Sequence, residues 1–212
     1  MICFHNRYDL GDKHNYSEET VLQELASEVC PNLENLIYCW ESGVGWEKYT
    51  DPDKSDRIIK KAIEKIINRF FILLPLNLYD HSGITMRTSP FSDPWDSGLV
   101  GFIYMTKEEA KKEYPNTADY IEQATTLLEN EVKVYDLYLT GEVFGYDVEP
   151  NQEKINCDDS CWGYFGYESI PDMVAEAKSN IDYAIERYKE EVIKHHKEKQ
   201  ETARFLKTCW AD

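Results

Sequence analysis

The densest set of side chains able to do chemistry is Asp80, His81 and Ser82, followed by Asp93, Trp95, Asp96 and Ser97. An aspartate beside a histidine can orient a general base or bind a divalent cation, and Asp93 and Asp96 would add hard oxygen ligands. The same residue types, with Gly83, Pro94 and Gly98 among them, also build turns by hydrogen bonding to their own backbone. No spaced signature of a known enzyme class accompanies them. Neither Ser82 nor Ser97 stands between the two glycines that a nucleophile elbow requires. Turn chemistry is the expected role, with metal-assisted hydrolysis or nucleotide modification through Asp80, His81, Asp93 and Asp96 as the alternative.

Other constellations carry less. The segment GEVFGY (Gly141–Tyr146) has two glycines but lacks both the lysine of a phosphate loop and the third glycine of a dinucleotide fingerprint, so no cofactor is expected. Cys157 and Cys161 are close, yet a zinc ribbon needs a second close pair. His195 and His196, which cannot share one helix face, do not supply it, and no metal is expected. Six irregularly spaced cysteines in a chain of 212 residues read as free thiols of a reducing compartment. Trp162, Tyr164, Phe165 and Tyr167 can form a stacking platform or an aromatic core, and in so acidic a chain core is the expectation.

The strands around Asp80 and Asp93 must position them. FFILLPLNLYD reads as a central strand up to Pro75 and a bent or edge strand beyond, since proline cannot donate to a ladder. GITMRTS and GLVGFIYMT read as further strands, which makes an antiparallel meander after residue 70. One helix is expected from Ser17 to Pro31, with Val21, Leu22, Leu25 and Val29 on its buried stripe. Leu33 to Trp40 fits strand or helix, and GVGWEKYTDPD is a turn-rich connector. A second helix, capped by Asp53 or Ser55, carries Ile58, Ile59, Ile63, Ile66 and Ile67 on one broad face to Arg69. Thr106 and Glu109 spell a capping box for a short helix ended by Pro115, and a longer helix spans Thr117 to Leu139 with Gly141 as its stop. GEVFGYDVEP and CWGYFGY then read as two strands joined by the loop NQEKINCDDS, and helical periodicity returns from Pro171. The expectation is an α+β protein: a single domain over residues 1–169 and a long C-terminal helix over 170–212. That helix packs on the domain, its end bends or projects, and it is where a dimer contact would form.

Acidic residues number 40 against 23 basic, a net charge of −17, and residues 70–169 hold 18 of the acidic and only 6 of the basic ones. Such a field repels phosphate backbones and forgoes counterion release, which excludes direct nucleic-acid binding. The longest apolar run, Phe70–Leu76, is far shorter than a bilayer span, and the first eight residues hold His5 and Arg7 rather than a signal-like apolar stretch. The expected setting is cytoplasmic and the expected partner a basic protein, met by Glu122, Glu129, Asp136, Glu142, Asp147 and Glu149. Charge of this sign also serves solubility.

Four segments carry a resemblance: FHNRYDLGDKH, LPLNLYDHSGITMRTSPFSDPWDSGLVGFIYMT, EVKVYDLYLTGEVFGYDVE and SCWGYFG. Together they resemble a family of uncharacterised proteins carried by bacteriophages, prophages and mobile elements, over about two thirds of the chain. Where that family has a cysteine near the position of Asp93 this chain has aspartate, which speaks against a cysteine-dependent role there. The resemblance implies no catalytic residue. Joined to the charge, it implies an anti-defence inhibitor: a protein that fills the basic nucleic-acid channel of a host defence nuclease, as antirestriction and anti-CRISPR proteins do, with carboxylates standing in for phosphates. An accessory structural or regulatory phage protein is the further option.

Overall fold

The structure is a computed structural model that describes residues 1–33, 35, 37, 38, 52–150 and 158–209, the side chains of 52–55, 208 and 209 excepted. In the first compact unit, Met1–Thr140, strands β1 (Ile2–Cys3), β2 (Phe71–Asp80), β3 (Ile84–Arg87) and β4 (Ser97–Thr106) form one antiparallel sheet. Successive side chains of a strand point to opposite faces. In β2 both faces are apolar: Ile72, Leu76 and Leu78 enter one buried cluster, while Phe71 and Leu73 meet another. A sheet of that kind needs cover on both sides. Helices α1 (Val21–Val29) and α2 (Pro52–Phe70) supply it on one side through Leu25, Ala26, Ile59, Ile63 and Ile67. Helices α3 (Lys107–Glu113) and α4 (Tyr120–Leu139) supply it on the other through Ala110, Ala124, Leu128 and Val132.

The strand order is β1–β4–β2–β3, so the sheet is antiparallel but not the expected meander. β3 is four residues long and pairs with β2 only over Asn77–Asp80, whereas β4 matches β2 from Phe71↔Thr106 to Tyr79↔Ser97. The two long apolar strands therefore pair with each other, and β4 crosses to the far edge of β2. Pro75 does not end or displace β2, because it lies before the stretch where β3 makes the ladder two-sided, and a bulge follows at Leu76/Asn77. Gly101 admits β1 to the edge of β4: a Cβ there would sit 1.9 Å from the Ile2 carbonyl oxygen.

Local signals fare unevenly. α1 begins at Val21 rather than Ser17, since the carbonyl of Ser17 closes a turn with the Thr20 N–H before the helix starts. Pro52 opens α2, where its missing N–H is not needed. Leu33 and Ile37 are helical and buried against α2's cluster, and the connector from residue 39 to 51 lies outside the described residues. The capping box of α3 forms in full: the Thr106 hydroxyl accepts from the Glu109 N–H at 3.1 Å and the Glu109 carboxylate accepts from the Thr106 N–H at 2.9 Å. Hydrogen bonds from the Thr106 hydroxyl and then its backbone N–H hold the Glu109 carboxyl below its ordinary range.

The second compact unit is Gly141–Asp212, so the division falls at Thr140/Gly141 rather than at the expected 169/170. Strands β5 (Val143–Val148) and β6 (Asp159–Phe165) form an antiparallel hairpin that contacts helix α5 (Ile170–Cys209) through both strands, which assigns the hairpin to the helix. The Tyr146 hydroxyl donates to the Asp159 carboxylate at 2.9 Å, and the Asn180 amide of α5 donates to both, at 3.0 and 2.7 Å. α5 runs without interruption through KHHKEKQET, and every described side chain from Lys189 to Lys207 is exposed. The aromatic cluster divides: Trp162 is 72% exposed, lying over Gly145 of the facing strand, and Tyr167 is exposed too, whereas Tyr164 and Phe165 are half-buried. The loop residues 151–157, Cys157 among them, lie outside the described residues. No helix among the described residues is long and apolar enough to cross a membrane.

Candidate functional site

Pairing Tyr79 with Ser97 sets the end of β2 beside the start of β4, and the Asp80 and Asp93 turns meet there. The Asp80 N–H donates to the Asp96 carbonyl at 2.8 Å, and His81 Nδ1 lies 2.8 Å from the Asp96 carboxylate. The four candidate residues nevertheless serve three separate tasks. Asp80 turns toward the segment after β1, where Arg7 makes a 2.6 Å ion pair with it and the Tyr8 hydroxyl lies 3.4 Å away. Asp93 holds its own loop, accepting from the Trp95 N–H at 2.9 Å while its carbonyl accepts from the Ser97 hydroxyl. Only His81 and Asp96 remain a pair, an oriented imidazole beside a carboxylate. Among the described residues no group of three or more His, Cys, Asp or Glu side chains is placed to hold a metal ion. Ser82 takes a left-handed backbone (φ 55°) within the turn, its hydroxyl donating to the His81 carbonyl at 2.7 Å.

Sequence reasoning missed what this end of the sheet presents. The Arg87 guanidinium sits 3.8 Å from the Phe91 ring centroid and donates to the Pro90 carbonyl at 2.6 Å, and Phe91 stacks on Tyr79 at 5.5 Å. This stack, with the Asp93 cap, holds residues 88–96 so that Trp95 is 92% exposed. The only sequence signal was the run of turn formers around a lone tryptophan.

The six candidate carboxylates belong to two units. Glu122, Glu129 and Asp136 lie on α4, spaced by seven, and such positions drift about 20° per step around a helix. The drift takes Asp136 to the sheet, where one carboxylate oxygen accepts from the Thr85 hydroxyl and from the Met86 N–H, each at 2.7 Å. Asp136 is thus a tie between α4 and β3 rather than surface. Glu122 stays exposed and Glu129 half-buried. Glu142, Asp147 and Glu149 lie in the second unit, Asp147 and Glu149 exposed and Glu142 half-buried with its carbonyl taking the Gly166 N–H at 2.9 Å.

An open groove of about 470 Å³ runs along α4, lined by Tyr114, Asp119, Glu122, Gln123, Thr126, Leu127 and Asn130. Asp119, Glu122, Gln123, Thr126 and Asn130 recur at three and four, opposite the buried Ala124, Leu128 and Val132. The lining offers two carboxylates, an aromatic face, amide and hydroxyl groups and one apolar wall, with no cationic side chain among its residues. These are complementary to the head and aliphatic stem of a lysine or arginine. A second cleft, about 410 Å³, is lined by the N-terminal residues Cys3, His5, Tyr8 and His14 among others. Burial pushes the Cys3 thiol up to about 11, which makes it a packed apolar group rather than a nucleophile.

The chain matches no family model, no curated protein and no solved structure.

Proposed function

We propose that the protein binds a basic surface of a partner protein, and that the partner is a nucleic-acid-binding defence nuclease of a bacterial host, met in the cytoplasm. The observation that carries this reading is the α4 groove, whose lining holds Asp119 and Glu122 beside Tyr114 with no cation of its own. A lysine or arginine that normally holds phosphate would find there a carboxylate pair and an aromatic face. The excess of 18 acidic over 6 basic residues in 70–169 supports long-range steering of such a partner. The resemblance to proteins of phages and mobile elements supports the choice of a defence nuclease.

The test is inhibition of a panel of restriction and CRISPR nucleases by purified protein, repeated with Asp119→Lys/Glu122→Lys. Inhibition of at least one nuclease is expected, weakened about tenfold or more by the double reversal and falling with added salt. Inhibition of none, or inhibition indifferent to the reversals, would overturn the reading. The His81–Asp96 pair at 2.8 Å favours one alternative, a hydrolase or nucleotide-modifying enzyme. Activity abolished by His81→Ala or by chelation would replace the binding reading with that one.

A further inference from the structure

Residues 158–186 hold seven carboxylates and one basic side chain, Lys178, whereas residues 192–209 hold five basic side chains against two carboxylates. A helix dipole favours carboxylates at the start and cations at the end, but only within the first and last turns. Here the segregation extends along α5. Apolar side chains are uncovered in both halves: Trp162, Val174 and Tyr183 (68% exposed) on the acidic side, Val192, Ile193 and Leu206 (51%) on the basic side. Among the described residues of this unit none is a buried apolar side chain, the buried apolar set ending at Val132. The unit thus carries two surfaces of complementary charge, each with exposed apolar groups.

One chain cannot bring them together. α5 is continuous over 40 residues, about 60 Å at 1.5 Å per residue, and a rigid rod does not fold its basic end back on its acidic start. We propose that a second copy of this chain occupies both surfaces, the two α5 helices lying antiparallel so that the basic half of each rests on the acidic, aromatic half of the other. The arrangement is two-fold and closed, so each contact is made twice. Lys194 and Lys197 of the basic half, which share one face of α5 with Asp172 and Asp182, would meet those carboxylates on the other copy, and the exposed rings would take apolar or cationic contacts. This inference does not rest on the nuclease reading.

Sedimentation equilibrium of the full chain tests it, with the dimer mass expected at low salt and weaker association at high salt. Lys194→Glu/Lys197→Glu should raise the dimer dissociation constant about tenfold or more, as should Asp172→Lys/Asp182→Lys, and an equimolar mixture of the two variants should restore the dimer. Ile193→Glu, on the same face as Lys197, gives the same loss by an independent route, and circular dichroism reports whether α5 stays helical in each variant. Carboxylate-to-lysine crosslinking between light and heavy isotope-labelled copies should join Lys194 or Lys197 to Asp172 or Asp182. A monomeric wild type, a dimer indifferent to the reversals, or crosslinks joining like halves would overturn the proposal.

Discussion

Leu25, Leu76, Ala110 and Ala124 are fully enclosed in the first unit, while in the second the described apolar side chains are at best half-buried. The first unit wraps a sheet that is apolar on both faces, and removal of apolar area from water holds it. The second is a hairpin against a helix, held by backbone ladders, helical hydrogen bonds and the Tyr146–Asp159–Asn180 network. Each of those bonds replaces one made to water in the unfolded chain, so each contributes little net free energy. The contrast separates a unit with a closed apolar core from one whose apolar side chains stay partly in solvent.

The two units should differ most in their response to truncation of an apolar side chain. Leu76→Ala, in the first unit's core, should cost about 2–5 kcal/mol in urea unfolding, whereas Ile181→Ala on half-buried α5 should cost under about 1.5 kcal/mol. Equal costs would erase the distinction. Asp136→Ala comes next, at about 1–3 kcal/mol, because it strands the Met86 N–H and frees the Thr85 hydroxyl. Thermal unfolding should show the loss while groove-dependent binding, measured below the melt, stays unchanged.

Smaller effects follow from capping and titration. Thr106→Ala should cost about 1 kcal/mol through loss of the capping box. Glu109 titrates below its unfolded value of 4.5, so its contribution is present above that value and lost as pH falls through the lowered one. A melt series through acid pH should show this drop in wild type and a reduced one in Thr106→Ala. Cys3 runs the other way. Its folded thiol titrates near 11 against 9.0 unfolded, so stability declines as pH rises from 9 toward 11, and Cys3→Ala should flatten that part of the curve.

Much of the α+β framework was legible because its signals are local. Isoleucines four apart, Thr106 with Glu109, and Pro171 at a helix start each act within one or two turns, and α2, α3 and α5 follow them. Strand order was not legible: the turns between β2, β3 and β4 read as a meander, while the length of β4 matched β2 better than β3 could. The candidate site failed on the same ground. Asp80 was adjacent to His81 in sequence, yet its partner is Arg7, far away in the chain, and nothing local to either residue announces the pair.

Composition and periodicity by themselves determined the charge, the helices, the strands and the exclusion of a membrane-spanning run, because these depend on residue type and on spacing within a few positions. Tertiary structure alone decided which carboxylates are surface and which are ties. Glu122 and Asp136 are both acidic residues of one helix, but only packing against β3 gives Asp136 two donors and leaves Glu122 facing water in the groove. The hydrogen-bond partners of a carboxylate are set by what folding brings within about 3 Å, and that distance has no counterpart along the chain.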